Sequence, residues 1–152
     1  MIMFNRNYKM LLSTFISMFF LSNLVFADPT DGCELDSNQL FLTAEGAVLY
    51  NAAEDIAGFQ FNVDGAGVNG ASGGDAAAAG FTISNSATLV LGFSFSGGVI
   101  SAGCGTLVEL VLDGTPTGLS AITISSPQGN AIDFTYWEED DGGNGQVSDG
   151  CD

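Results

Sequence analysis

Apolar and polar residues alternate with period two through much of this chain. In Gly58-Phe59-Gln60-Phe61-Asn62-Val63-Asp64, Phe59, Phe61 and Val63 fall on one side and Gln60, Asn62 and Asp64 on the other. That is the pattern of a half-buried strand. Thr88 to Ser96 reads the same way, with Leu89, Leu91, Phe93 and Phe95 inward and Gly92, Ser94 and Ser96 outward. Ala121 to Ser125 places Ile122 and Ile124 inward, and Ala131 to Trp137 places Ile132, Phe134 and Tyr136 on one face. Gly105 to Asp113 is apolar nearly throughout and predicts a central strand, with Glu109 on its outer side. Gln39 to Leu42 and Ala47 to Tyr50 flank Glu45-Gly46 and predict a hairpin, and Phe81 to Ser84 adds a short strand.

Turn residues separate these runs at Gly97-Gly98, Asp113-Gly114, Thr115-Pro116-Thr117-Gly118 and Ser126-Pro127-Gln128-Gly129. Gly70 to Gly74 reads as a loop. The one helical stretch is Asp75 to Gly80, with Asp75 as N-cap and Gly80 as the stop. Short strands at this spacing predict an all-β fold: an antiparallel β-sandwich, a jelly roll of about nine strands.

The beginning of the chain follows a different rule. Arg6 and Lys9 precede an apolar run from Leu11 to Val25, interrupted by Ser13, Thr14, Ser17, Ser22 and Asn23, and Val25-Phe26-Ala27 closes it with small residues where a signal peptidase reads. This layout predicts a secretory signal peptide over residues 1–27, cleaved after Ala27. The run is too interrupted for a comfortable membrane span of about 20 residues, so no membrane insertion is expected after cleavage.

Cleavage changes the charge. Arg6 and Lys9 are the only basic residues, and with them gone the rest of the chain keeps all 18 Asp and Glu, a formal charge of −18. Nucleic acid is excluded as a partner, because no cation remains to neutralise a phosphate. Binding to anionic lipid fails for the same reason. Mutual repulsion of the carboxylates points to a saline or calcium-containing exterior. Ile, Leu, Val and Phe remain abundant between the acids, so the chain is expected to fold, as one β-sandwich over residues 28–137.

Residues 138–148 are acidic and Gly-rich and read as a solvated linker. After it, Asp149-Gly150-Cys151-Asp152 nearly repeats Asp31-Gly32-Cys33-Glu34, and residues 149–152 read as the start of a second repeat.

These residues together resemble a family. Ala57-Gly58-Phe59-Gln60-Phe61-Asn62-Val63, then Val90-Leu91-Gly92-Phe93-Ser94-Phe95, Gly105-Thr106-Leu107-Val108-Glu109-Leu110 and Gly118-Leu119-Ser120-Ala121-Ile122 resemble the cohesin-like modules. Those are nine-stranded jelly rolls grouped with several carbohydrate-binding modules. The Asp-Gly-Cys start and Gly103-Cys104-Gly105-Thr106-Leu107 also look like repeat modules of large secreted proteins inferred from marine microbial sequences. The resemblance covers roughly Leu40 to Tyr136. It implies a non-catalytic module that binds an extracellular protein or polysaccharide. Cellulosomal cohesins continue after Gly58-Phe59-Gln60-Phe61 with an aromatic-Asp-Pro turn, where this chain has Val63-Asp64-Gly65-Ala66. No dockerin-contact residue is therefore carried over.

Candidate chemistry is sparse. The chain has no His, so a nucleophilic triad lacks its usual base. Glu109 is the only acid within a strongly apolar strand, with no second acid paired to it for glycoside hydrolysis, and reads as an outward strand residue. Asp133, Glu138, Glu139, Asp140 and Asp141 form an oxygen-rich cluster of the kind that holds calcium. Asp140-x-Gly142-x-Asn144-Gly145 has the outline of an EF-type loop, but Gly142 and Cys151 stand where acidic or amide ligands belong. The solvated linker is the stronger reading, and no cofactor is expected. Trp137 and Tyr136 are the candidate sugar platform; alternation buries Tyr136, and a single Trp at a sheet edge reads as packing.

The function these features indicate is a non-catalytic structural or adhesive repeat module, secreted or on the cell surface. The alternative is a carbohydrate- or protein-binding module of cohesin type within a polysaccharide-degrading assembly. Three cysteines in an exported chain leave one odd thiol. If Cys151 opens the next repeat, Cys33 pairs with Cys104. The competing pairing, Cys33 with Cys151, would staple the ends of the module together.

Overall fold

Among the described residues ten strands form, most of them where alternation is strongest, and they pair into two five-stranded sheets. The computed structural model describes residues 27–139. Residues 1–26 of the expected signal peptide, the part of the expected linker that follows Glu139 (Asp140 and Asp141 included) and the expected start of a second repeat lie outside the described residues. The first sheet contains β1 (Gln39–Leu42), β2 (Ala47–Ala52), β4 (Val68–Ser72), β7 (Gly103–Leu112) and β10 (Thr135–Tyr136). Its order is β10-β1-β2-β7-β4. The second sheet contains β3 (Gly58–Asp64), β5 (Thr82–Asn85), β6 (Leu89–Phe93), β8 (Gly118–Ser125) and β9 (Ala131–Ile132). Its order is β5-β6-β3-β8-β9. Pairing is antiparallel except between β1 and β10, which run parallel. The chain is a β-sandwich.

The inner faces of the two sheets share one core. Leu40, Val48, Tyr50, Leu107 and Val108 from the first sheet meet Phe59, Phe61, Val90 and Ile124 from the second. Burial of this much aliphatic and aromatic surface supplies the main driving force for folding. The Phe59 ring stacks on both Phe61 (5.9 Å between centroids) and Phe81 (6.1 Å). The predicted hairpin, the inward faces of β3 and β8 and the outward Glu109 are all present.

Four expectations need correction. The strand expected over Ala131 to Trp137 is two strands: β9 belongs to the second sheet and β10 to the first, so the chain changes sheets at Asp133-Phe134. The expected loop at Gly70 to Gly74 begins as β4, an edge strand paired to β7. Asn69, Gly70 and Ser72 carry little strand propensity, and only the partner strand makes them one. Asp75 does not cap the helix. That helix, α1 (Gly74–Ala78), starts after Gly73 with no side-chain cap, although Gly80 does end it with φ +81°. The Asp75 carboxylate accepts the Tyr50 hydroxyl at 2.7 Å instead.

The fourth correction concerns the phase of β6. Val90 is fully buried and Gly92 is buried, whereas Leu89, Leu91 and Phe93 lie on the outer face and Phe95 is 83% exposed. The inward positions are those expected to face outward. A Cβ on Gly92 would run into the ring of Phe59, so this glycine belongs to the core side.

Candidate binding face

The two outer faces of the sandwich are treated oppositely. On the first sheet, Leu35, Phe41 and Leu49 form a second buried cluster, separate from the core, with Ala47, Tyr136 and Trp137 packed against it. The segment before β1 lies over this face and is clasped there. Asp31 caps a 3-10 turn (Gly32–Glu34) by accepting the Cys33 N–H at 2.8 Å. Glu34 Oε2 accepts N–H bonds from Thr30 at 2.6 Å and Asp31 at 3.1 Å. Those bonds hold the Glu34 carboxyl below its ordinary value. Gly32 is buried so closely on Tyr50 and Gly105 that a Cβ would strike their main chain. Asn51 Nδ2 donates to the Leu35 carbonyl at 2.8 Å.

Cys33 is disulfide-bonded to Cys104 on β7, with Cα atoms 5.0 Å apart. Of the two pairings open from the sequence, this is the one formed. Trp137 meets Phe41 edge-on at 5.1 Å and is half-buried, so one side of the ring packs on the sheet. Tyr136 is half-buried, and its hydroxyl oxygen accepts the Leu42 N–H at 3.4 Å. Burial pushes the Tyr136 hydroxyl up, with the nearby Asp28 and Glu138 charges adding to the effect.

The second sheet's outer face has no such cover among the described residues. Its pairing lines up two cross-strand rows. Thr82, Phe93, Gly58 and Ser125 form one; Ser84, Leu91, Gln60 and Thr123 form the next. Side chains in such rows are neighbours on one face. Gly58 leaves a dip, because a Cβ there would touch Ser125 Oγ at 3.0 Å and approach Phe93 Cβ at 4.0 Å. The resulting depression has a volume of about 230 Å³. Beyond the end of β6, the Phe95 ring stands edge-on to Phe93 at 4.7 Å.

Charge is distributed unevenly. Within the strands, acids occur only at Asp64, at the end of β3, and at Glu109 on β7 of the other sheet. Asp64 Oδ1 accepts the Ser120 hydroxyl at 2.9 Å. The rows above carry no ionisable side chain, while acids crowd the loops and the ends of the sandwich.

A larger cleft, about 540 Å³, opens at one end between Trp137, Tyr136 and the Thr115–Gly118 turn. Asp28, Asp64, Glu138 and Glu139 wall it. Of the calcium candidates, Glu138 and Glu139 line this cleft, while Asp133, exposed between β9 and β10, does not. Among the described residues, no group of three or more His, Cys, Asp or Glu side chains is arranged to hold a metal ion. Glu109 is exposed on β7, away from the depression.

Leu89, Leu91, Phe93 and Phe95 are the outer-face residues that alternation assigned to the core. The run Leu89-Val90-Leu91 is apolar on both faces, so alternation cannot set its phase. Among the described residues, no helix is long and apolar enough to cross a membrane. No protein-family model, curated protein or solved structure matches the chain significantly.

Proposed function

We propose that this chain is a non-catalytic structural or adhesive module of a secreted or cell-surface protein, exported by a signal peptide over residues 1–27 and folded as a jelly roll of the cohesin-like kind. One observation carries this reading: one outer face is sealed by a disulfide-clasped segment, and the other presents an uncharged, partly apolar surface on an otherwise acidic chain. A face left open in this way is characteristic of an interaction surface. The disulfide fits an oxidising exterior. The runner-up reading, a polysaccharide- or protein-binding module of a degradative assembly, draws on the same open face.

The full chain, expressed for export, tests the reading. Mass spectrometry should find Asp28 at the new N-terminus. Incubation with glycoside, ester and peptide substrates should show no turnover. Protein that retains residues 1–27 after export removes the signal reading, and turnover abolished by Glu109→Gln removes the non-catalytic one.

A further inference from the structure

We infer that the open face of the second sheet binds a neutral polysaccharide, with Phe93 and Phe95 against the sugar rings and Gln60, Thr123 and Ser125 hydrogen-bonding the hydroxyls. The inference rests on the non-catalytic module reading and names the ligand class of its open face.

The side-chain set is the first ground. Phe93 and Phe95 sit edge-on at 4.7 Å, and Phe95 is 83% exposed. Aromatic carbon this exposed is costly to leave in water. Sugar rings present apolar C–H faces to such rings and hydroxyls at their edges. Beside the rings, Gln60 brings an amide with both donor and acceptor, Thr123 brings a hydroxyl that does both, and Ser125, whose own proton goes to the Gly58 carbonyl at 3.4 Å, brings an acceptor oxygen. The pairing register places Gln60 opposite Leu91 and Thr123, and Gly58 opposite Phe93 and Ser125. The dip over Gly58 is thus walled by apolar carbon on one side and by hydroxyls on the other. A mostly apolar depression with a few convergent polar groups is the usual form of a ligand site.

Charge is the second ground, and it selects among occupants. The described residues contain no Lys, Arg or His. A second copy docking face to face would bring an equally anionic body within a Debye length of about 10 Å at 0.1 M salt. A cationic protein would be drawn to the acidic loops, since the face has no charge to offer it. A neutral polymer meets neither repulsion nor a desolvated charge, and the surrounding acids disfavour anionic polymers.

The test is retention of the full chain on microcrystalline cellulose and chitin beads, with polygalacturonate as the anionic counterpart and sedimentation in parallel. Retention on a neutral polymer is expected, with none on polygalacturonate at low salt. Phe93→Ala and Phe95→Ala should each weaken retention roughly tenfold, about 1.4 kcal/mol. Val111→Ala, at an exposed apolar position of the first sheet, should not change it. Near-UV circular dichroism and melting temperature should be preserved for Phe95→Ala, whose ring lies outside the core. Absence of retention on both neutral polymers overturns the inference. Retention unchanged in both phenylalanine variants also overturns it but leaves an adhesive module acting through another surface. Self-association lost in Phe95→Ala makes the face a contact between copies and overturns the inference. Cleavage of the polymer instead sinks the non-catalytic reading.

Discussion

The ring of Phe59 on β3 occupies the space that a side chain on Gly92 of β6 would fill. Because β6 lies beside β3, with Phe59 opposite Gly92 in register, a glycine here lets the larger ring enter the core. The same contact turns Leu91 and Phe93 outward and so creates the open face. Gly92→Ala should therefore cost about 1–3 kcal/mol by overpacking, measured by urea unfolding. A variant as stable as the parent would mean that Phe59 does not set the phase of β6.

The clasp over the first sheet depends on the Cys33–Cys104 bond, which spans 71 residues. Restricting the unfolded chain over such a loop is worth on the order of 4 kcal/mol in the chain-entropy estimate. Cys104→Ser, or reduction of the parent protein, should lower the melting temperature and expose Trp137 and Phe41, seen as a shift in tryptophan fluorescence. An unchanged melting temperature would show that the clasp holds without the bond.

Tyr50 links the first sheet to α1 through its 2.7 Å bond to Asp75. Burial, followed by the Asp75 hydrogen bond and charge, pushes the Tyr50 hydroxyl well above its ordinary 10.0, and burial raises Tyr136 as well. Both hydroxyls are protonated in either state below pH 10.0. As pH rises further, the unfolded chain loses these protons first, so stability falls from there toward the raised folded values. Denaturant midpoints measured across this alkaline window should decline, and Tyr50→Phe should flatten the decline. Tyr50→Phe should also lower stability at neutral pH by roughly 1–3 kcal/mol, since it removes a bond to a charged partner. A midpoint independent of pH in that window would contradict the Tyr50–Asp75 contact.

An acidic body with no cation among its described residues is self-repelling. Salt shortens the Debye length from about 30 Å at 0.01 M to about 3 Å at 1 M. The melting temperature should rise across that range, with most of the gain at the low end. A flat or falling curve would show that the carboxylates at the sandwich ends are too dispersed to destabilise the fold.

Local pattern suffices for much of this molecule. Strict alternation in Phe59-Gln60-Phe61-Asn62-Val63 marks β3 and its inner face, because only one side of each residue pair is apolar. Glu45-Gly46 marks the β1–β2 hairpin, since Gly46 takes φ +104°, a conformation that glycine adopts without strain. The absence of His, and of Lys and Arg beyond Lys9, narrows the chemistry before any fold is known. Other features depend on contacts between residues distant in the chain. Leu89-Val90-Leu91 is apolar on both sides, and its phase comes from Phe59, about thirty residues earlier. Asn69 and Gly70 become strand because β7 offers them a partner. Ala131 to Tyr136 reads as one strand, yet its two halves pair with β8 and β1 in different sheets. Which outer face is covered follows from the clasp of Gly32 and Cys33 on β2 and β7, and a strand's own alternation carries no information about what lies above it.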